Sequence, residues 1–166
     1  MLDDFLIHVF HKGNTLEAYK VFGAHLETND HKKGVRFTVY APNARSVQVV
    51  GDFNDWDGQN HYMERYTDGG IWTLFIPGVK EFALYKYRIE TQNFATVDRA
   101  DPYAFYSELR PGTASRVYNI ERFRWADKKW LNSRTKNFDK PMNIYEVNKY
   151  YFLIYKFLYN RAFPTL

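Results

Sequence analysis

Apolar and polar positions change period along this 166-residue chain. Leu2, Phe5, Leu6 and Val9 fall three or four apart, which predicts an amphipathic helix over 2–11. Gly13 is placed to stop it. Asn14 with Glu17 three positions on reads as a variant capping box, so a second short helix is expected over 15–21. From Gly34 the period becomes two: Val35, Phe37 and Val39 alternate with Arg36, Thr38 and Tyr40, as in a half-buried strand. Further strands are predicted over 46–50, 71–76, 84–91, 94–97 and 115–120. Between them stand turn residues such as Ala41-Pro42-Asn43-Ala44, Asp57-Gly58, Asp68-Gly69-Gly70 and Pro77-Gly78. On the 84–91 strand Tyr85, Tyr87 and Ile89 share one face, while Lys86, Arg88 and Glu90 turn to solvent or a ligand.

Short strands at regular spacing predict a mainly β fold, an antiparallel immunoglobulin-like β-sandwich. It carries a short N-terminal helical arm and an irregular C-terminal extension. Strands do not alternate with long helices, which argues against a doubly wound sheet. Asp101-Pro102 has the form of a helix cap followed by proline at the first helical position, opening a short helix to about Glu108. Residues 123–134, with Trp125 and Trp130, read as an amphipathic connector, and a last strand-like run over 143–147 follows Pro141. The domain plan is an arm over 1–24, the sandwich over 25–122, a connector over 123–142 and a final segment over 143–166. That segment ends in an aberrant tail, 148–166, rich in Tyr, Phe, Leu, Ile, Lys and Asn and lacking Gly, Asp and Glu. Its apolar run is too short to cross a bilayer.

Composition narrows the function. Hydrophobic residues are 45%, aromatics 19% and charged residues 25%, which excludes a disordered chain and leaves the aromatic share high for an ordinary soluble domain. No run approaches the roughly 18–20 apolar residues of a membrane span, and the acidic start Met1-Leu2-Asp3-Asp4 is unlike a secretion signal. The absence of cysteine excludes thiol chemistry and disulfides and fits a reducing, cytoplasmic setting. The net charge of +4 is spread among acids with no basic stripe, so neither nucleic acid nor membrane is an expected partner.

The candidate chemistry lies at Val47–Trp56. An alternating strand breaks at Gly51-Asp52 and leads into Phe53, Asn54, Asp55 and Trp56. Aromatic faces interleaved with an amide and a carboxylate suit the face of a sugar ring and its hydroxyls. Simpler readings stand beside this one: Trp56 as core or interdomain packing, Asn54 and Asp55 as turn formers, Lys86 as a solvated strand residue. Asp98 and Asp101 are spaced as an acid/base pair, but a strand end and a cap explain them better. His8, His11, His25, His31 and His61 show no metal-ligand spacing. No phosphate cradle is present, and no catalytic residue, cofactor or metal is expected.

An ordered series of segments carries a family resemblance. It runs Phe22-Gly23-Ala24-His25, then 34–44, then Val49-Val50-Gly51-Asp52-Phe53-Asn54-Asp55-Trp56-Asp57-Gly58. It continues with 71–78, Tyr85-Lys86-Tyr87, Ala100-Asp101-Pro102-Tyr103-Ala104-Phe105 and Arg110-Pro111-Gly112-Thr113-Ala114-Ser115. Over roughly residues 5–147 it resembles the amino-terminal region of bacterial 1,4-α-glucan (glycogen) branching enzymes. The resemblance implies a carbohydrate-binding sandwich of the α-amylase-superfamily type, a partner in α-1,4-linked glucan (glycogen, amylose, maltooligosaccharide), and a catalytic barrel as intramolecular partner. Trp125–Trp130 resembles the connector to that barrel and 141–147 its first strand. The barrel's carboxylates lie on later strands, so the chain is expected to have no activity alone. With its odd tail it reads as a truncated or frameshifted product. The similar glycogen-binding module of the AMP-activated kinase β subunit implies that Trp56 stacks on glucose and Lys86 contacts it. Phe94 stands near a second stacking position, and Ser115 near an amide position. The competing expectation is an inert structural or interdomain sandwich.

Overall fold

A computed structural model describes residues 3–67 and 69–134. The run over 143–147 and the tail over 148–166 lie outside the described residues. One compact unit ends at Arg124, and the residues that follow belong to another.

Two antiparallel sheets make up the first unit. One consists of β1 (Gly23–Asn29), β2 (Lys32–Tyr40), β4 (Glu64–Thr67) and β5 (Ile71–Pro77), in the order β1-β2-β5-β4. The other consists of β3 (Ser46–Gly51), β6 (Leu84–Glu90), β7 (Thr96–Arg99), β8 (Tyr106–Ser107) and β9 (Ser115–Arg116). In it β6 pairs with β3 along one edge, while β7 and β9 share its other edge. Between the sheets lie Val35, Phe37 and Val39 of β2, Val47 and Val49 of β3, Trp72 and Ile76 of β5, and Tyr85 and Tyr87 of β6. These are the alternate positions of each strand, so the period-two pattern places the core.

The arm is helical, α1 (Asp4–His11), capped by Asp3, whose carboxylate accepts from the N–H groups of Phe5 and Leu6. It packs through Leu6, Ile7 and Phe10 onto Val21, Phe22 and Ile71, forming a second apolar cluster. Phe5, expected on the packed face, is exposed, because contact with Phe22 and Tyr40 is made through Phe10.

Several expected elements differ. Over 15–21 only a single tight turn forms, Ala18–Lys20, and Thr15 rather than Asn14 caps the approach by accepting from Glu17 N–H. The helix expected over 101–108 is absent. Asp101 turns its carboxylate inward to buried tyrosines, and the chain continues through a turn into β8. The strand expected over 94–97 is β7, two residues later, because Phe94 sits in the hairpin turn with φ 62°. The strand expected over 115–120 stops at Arg116. Strands β1, β4 and β8 had no clear alternation to announce them. Within 125–134 the helix is α2 (Lys128–Ser133), with Trp130 exposed on it.

Candidate binding face

The outward side of β6 carries Lys86, Arg88 and Glu90 in a row, opposite β3 residues Val50, Gln48 and Ser46. Two loops border that row. The first leaves β3 at Gly51, an extended position where a Cβ would fall 2.2 Å from the Leu84 carbonyl oxygen, so glycine alone allows the close approach. The loop then folds over the outer side of β3. A Cβ at Gly58 would stand 2.8 Å from that of Gln48.

Asn54 builds this loop. Its Oδ1 accepts from Gly51 N–H at 2.8 Å, and its Nδ2 donates to Val49 O and to His61 Nδ1, each at 3.0 Å. With donors and acceptor so engaged, Asn54 is a turn former. Trp56 N–H donates to Gly51 O at 2.9 Å, and the residue is 37% exposed. The Trp56 carbonyl accepts from Arg88 Nη1 at 3.2 Å, which places the loop over the β6 row.

On the other border, Lys86 Nζ donates to Thr113 Oγ1 at 2.7 Å, tying the 109–114 loop to the same row. Arg88 Nε and Nη2 donate to the two carboxylate oxygens of Asp98 at 2.8 and 3.0 Å. Hydrogen bonding to the guanidinium holds the Asp98 carboxyl below the usual carboxylate range and raises Arg88 in return.

Phe94 stands beyond Glu90 at the tip of the β6–β7 hairpin, 67% exposed, with the Arg45 guanidinium 3.9 Å from its ring centre. That cation covers one ring face. Ser115 is elsewhere: it is 1% exposed, and its hydroxyl accepts from Asp101 N–H at 2.8 Å. A buried hydroxyl so engaged offers nothing to a surface ligand. The structure therefore brings Trp56 and Lys86 to one face, sets Phe94 at its far end, and assigns Asn54 and Ser115 to the scaffold. Arg88, Asp98 and Thr113 join the face, and none of them is among the site residues expected from the sequence. Alternation does put Arg88 beside Lys86. Its partner Asp98 follows only from the β6–β7 register.

Beneath the face lies a polar knot. Asp101 Oδ2 accepts from the Tyr85 and Tyr87 hydroxyls at 2.6 and 3.1 Å, and Oδ1 accepts from Tyr103 N–H at 2.8 Å. Burial raises the Asp101 carboxyl above its ordinary range. Burial, followed by the charge of Asp101, pushes both phenols well above theirs. Among the described residues no cluster of His, Cys, Asp and Glu is arranged to hold a metal ion, and no helix is long and apolar enough to cross a membrane.

Known proteins resemble this chain. The family described as carbohydrate-binding module 48 (isoamylase N-terminal domain) matches residues 21–104. The 1,4-alpha-glucan branching enzyme GlgB of Bacillus cereus (strain AH820) is 47% identical over 141 residues, covering 84% of this chain and 22% of the relative. GlgB of Bacillus mycoides (strain KBAB4) is 46% identical over the same length and coverage. The chain thus spans about a fifth of the length of these curated relatives. Among solved structures, a pullulanase from Anoxybacillus sp. LM18-11, complexed with maltotetraose, matches with a TM-score of 0.52 at 24% identity. The match covers 63% of this chain and 14% of that one. It is a likeness of fold.

Proposed function

This chain belongs to the carbohydrate-binding module 48 family, and on that premise we propose that it binds α-1,4-linked glucan across the outer face of β6. The glucan is glycogen, amylose or a maltooligosaccharide, and the module serves a cytoplasmic glycogen branching enzyme. The observation that carries the reading is the bordered row itself. An exposed indole on a folded-over loop stands beside a strand of charged donors and acceptors, with Thr113 closing the other side. Trp56 supplies the ring-stacking surface, Lys86 supplies a hydrogen-bonding group for hydroxyls, and the Arg88–Asp98 pair frames the row between them. Phe94, backed by Arg45, extends the surface beyond Glu90.

Glycosyl transfer is not assigned to these residues. It requires two carboxylates about 5 Å apart flanking the bond that breaks. Here Asp98 is occupied by Arg88 and Asp101 is buried under two tyrosines. The branching chemistry named for the relatives belongs, in this reading, to a catalytic barrel that the module serves as intramolecular partner. Purified chain should leave the iodine colour of amylose unchanged.

Native electrophoresis through glycogen tests the binding. The chain should be retarded, and Trp56→Ala should run free. Equal mobility of both proteins with and without glycogen would contradict the reading. It would then favour a structural or interdomain role, for which one observation speaks. A groove of about 510 Å³ runs along β1, lined by Tyr19, Lys20, His25, Phe105, Tyr118 and Ile120 among others, away from the β6 row.

A further inference from the structure

Asp55 and Trp56 both adopt left-handed backbone, with φ of 52° and 60°. Residues with side chains disfavour that region, and two in succession relax unless something holds them. The bond from Trp56 N–H reaches back to Gly51 O at the end of β3, and that from Asp57 N–H to Asn54 O is local to the loop. The bond from Arg88 is different in kind. It reaches across 32 residues, from the strand that holds its sheet together, to the carbonyl of Trp56 itself.

The guanidinium is rigid and planar, and Asp98 fixes its plane by taking two parallel N–H bonds. Arg88 and Asp98 face each other in register on β6 and β7, so both ends of that pair are anchored in the sheet. The remaining nitrogen, Nη1, keeps its two N–H groups in that fixed plane, and it donates to Trp56 O. The pair is about a third exposed, with side-chain exposures of 31% and 36%. A surface ion pair of that kind adds little to stability. Its contribution is geometric.

We propose that Arg88 is a positioning residue for Trp56. The Asp98–Arg88–Trp56 chain of hydrogen bonds holds the indole across the β6 row, so the stacking surface is formed before glucan arrives. The proposal rests on the glucan-binding reading above. Lysine in place of Arg88 keeps the charge but loses the fork that makes three directed bonds. A loop that visits the competent arrangement only part of the time weakens binding in proportion to that fraction. Arg88→Lys is therefore expected to raise the glucan dissociation constant about three- to tenfold.

The test uses the full chain labelled with 5-fluorotryptophan, whose four tryptophans include Trp56 and the core residue Trp72. Trp56→Phe assigns the Trp56 fluorine resonance. Without ligand, Arg88→Lys should shift or broaden that resonance and leave Trp72 unmoved, which also shows that the variant is folded. Saturating maltoheptaose should return the Trp56 resonance toward its wild-type position, with the expected loss of affinity. Asp98→Asn, which removes one of the two carboxylate acceptors, should give a smaller change of the same kind. An unmoved Trp56 resonance overturns the clamp, even where affinity falls, because Arg88 would then be touching glucan directly. A moved resonance with unchanged affinity overturns it equally. If Trp56→Ala binds glucan as well as the wild type, the glucan reading fails instead, and the ligand-free resonance still judges the clamp.

Discussion

The two faces of β6 put the same side-chain chemistry to opposite uses. Inward, Tyr85 and Tyr87 converge on the carboxylate of Asp101; outward, one residue along, Arg88 grips the carboxylate of Asp98. Both carboxylates accept several hydrogen bonds. Inside, the donors are neutral phenols and desolvation dominates, so the acid is weakened; outside, the donor is a guanidinium in contact with water, and the acid is strengthened. The inner cluster holds β6 to the segment around 101–115. The outer one aims a loop. Position on the strand, odd or even, separates the buried architecture from the proposed binding face.

The largest expected difference is in stability. Asp101→Ala leaves two buried phenol hydroxyls and the Tyr103 N–H without their acceptor, and should cost about 3 kcal/mol in urea unfolding. Asp98→Ala, at a partly exposed pair, should cost no more than about 1 kcal/mol. Equal costs would erase the distinction between the faces.

Binding should show the reverse order. Trp56→Ala should remove about 1–3 kcal/mol of glucan affinity, read by titration with maltoheptaose, while shifting the unfolding midpoint little. Tyr85→Phe should destabilise by about 1 kcal/mol and leave affinity unchanged, since its hydroxyl is spent on Asp101. Lys86→Ala should sharpen the comparison with a smaller effect, about 0.5–1 kcal/mol of affinity, through loss of the Thr113 tie.

The pH dependence should differ in sign. Folding holds the Asp101 proton more tightly than the unfolded chain does. Its contribution is therefore full below the ordinary carboxylate value of 3.8 and is lost as pH rises through the raised folded value. Asp98 does the opposite: its contribution is present above 3.8 and is lost as pH falls through the lowered folded value. Unfolding curves of Asp98→Asn and Asp101→Asn against pH, each subtracted from wild type, should slope in opposite directions. Slopes of one sign would contradict the assignment.

How much of this the sequence disclosed depends on distance along the chain. Strands β2, β3, β5 and β6 were legible because one face of each is buried and alternation records it. The opening strand β1 was not: after buried Gly23 and Ala24 it runs through residues of mixed exposure, and the arm expected over 1–24 takes in its first two residues. Asp101-Pro102 carried a sound helix-start signal, yet the carboxylate found stronger partners on β6, which no local pattern contains. Ser115, which the resemblance sets near an amide position of the glucan site, is buried instead, its hydroxyl accepting from the Asp101 N–H. Of the proposed binding face, residue type picks out Trp56 and alternation turns Lys86 outward, while the contact of Lys86 with glucan is implied by the family resemblance. Arg88's role was hidden because its two partners, Asp98 and the Trp56 carbonyl, lie 10 and 32 residues away.

The most direct test is a nuclear magnetic resonance titration of the chain with maltoheptaose, following backbone and tryptophan indole N–H shifts. Saturable shifts are expected at Trp56, Lys86, Arg88, Asp98 and Thr113. Ala24, His25 and Asn119, which also line the groove along β1, should stay still. Shifts confined to that groove, or none at all at millimolar ligand, would contradict glucan binding at this face.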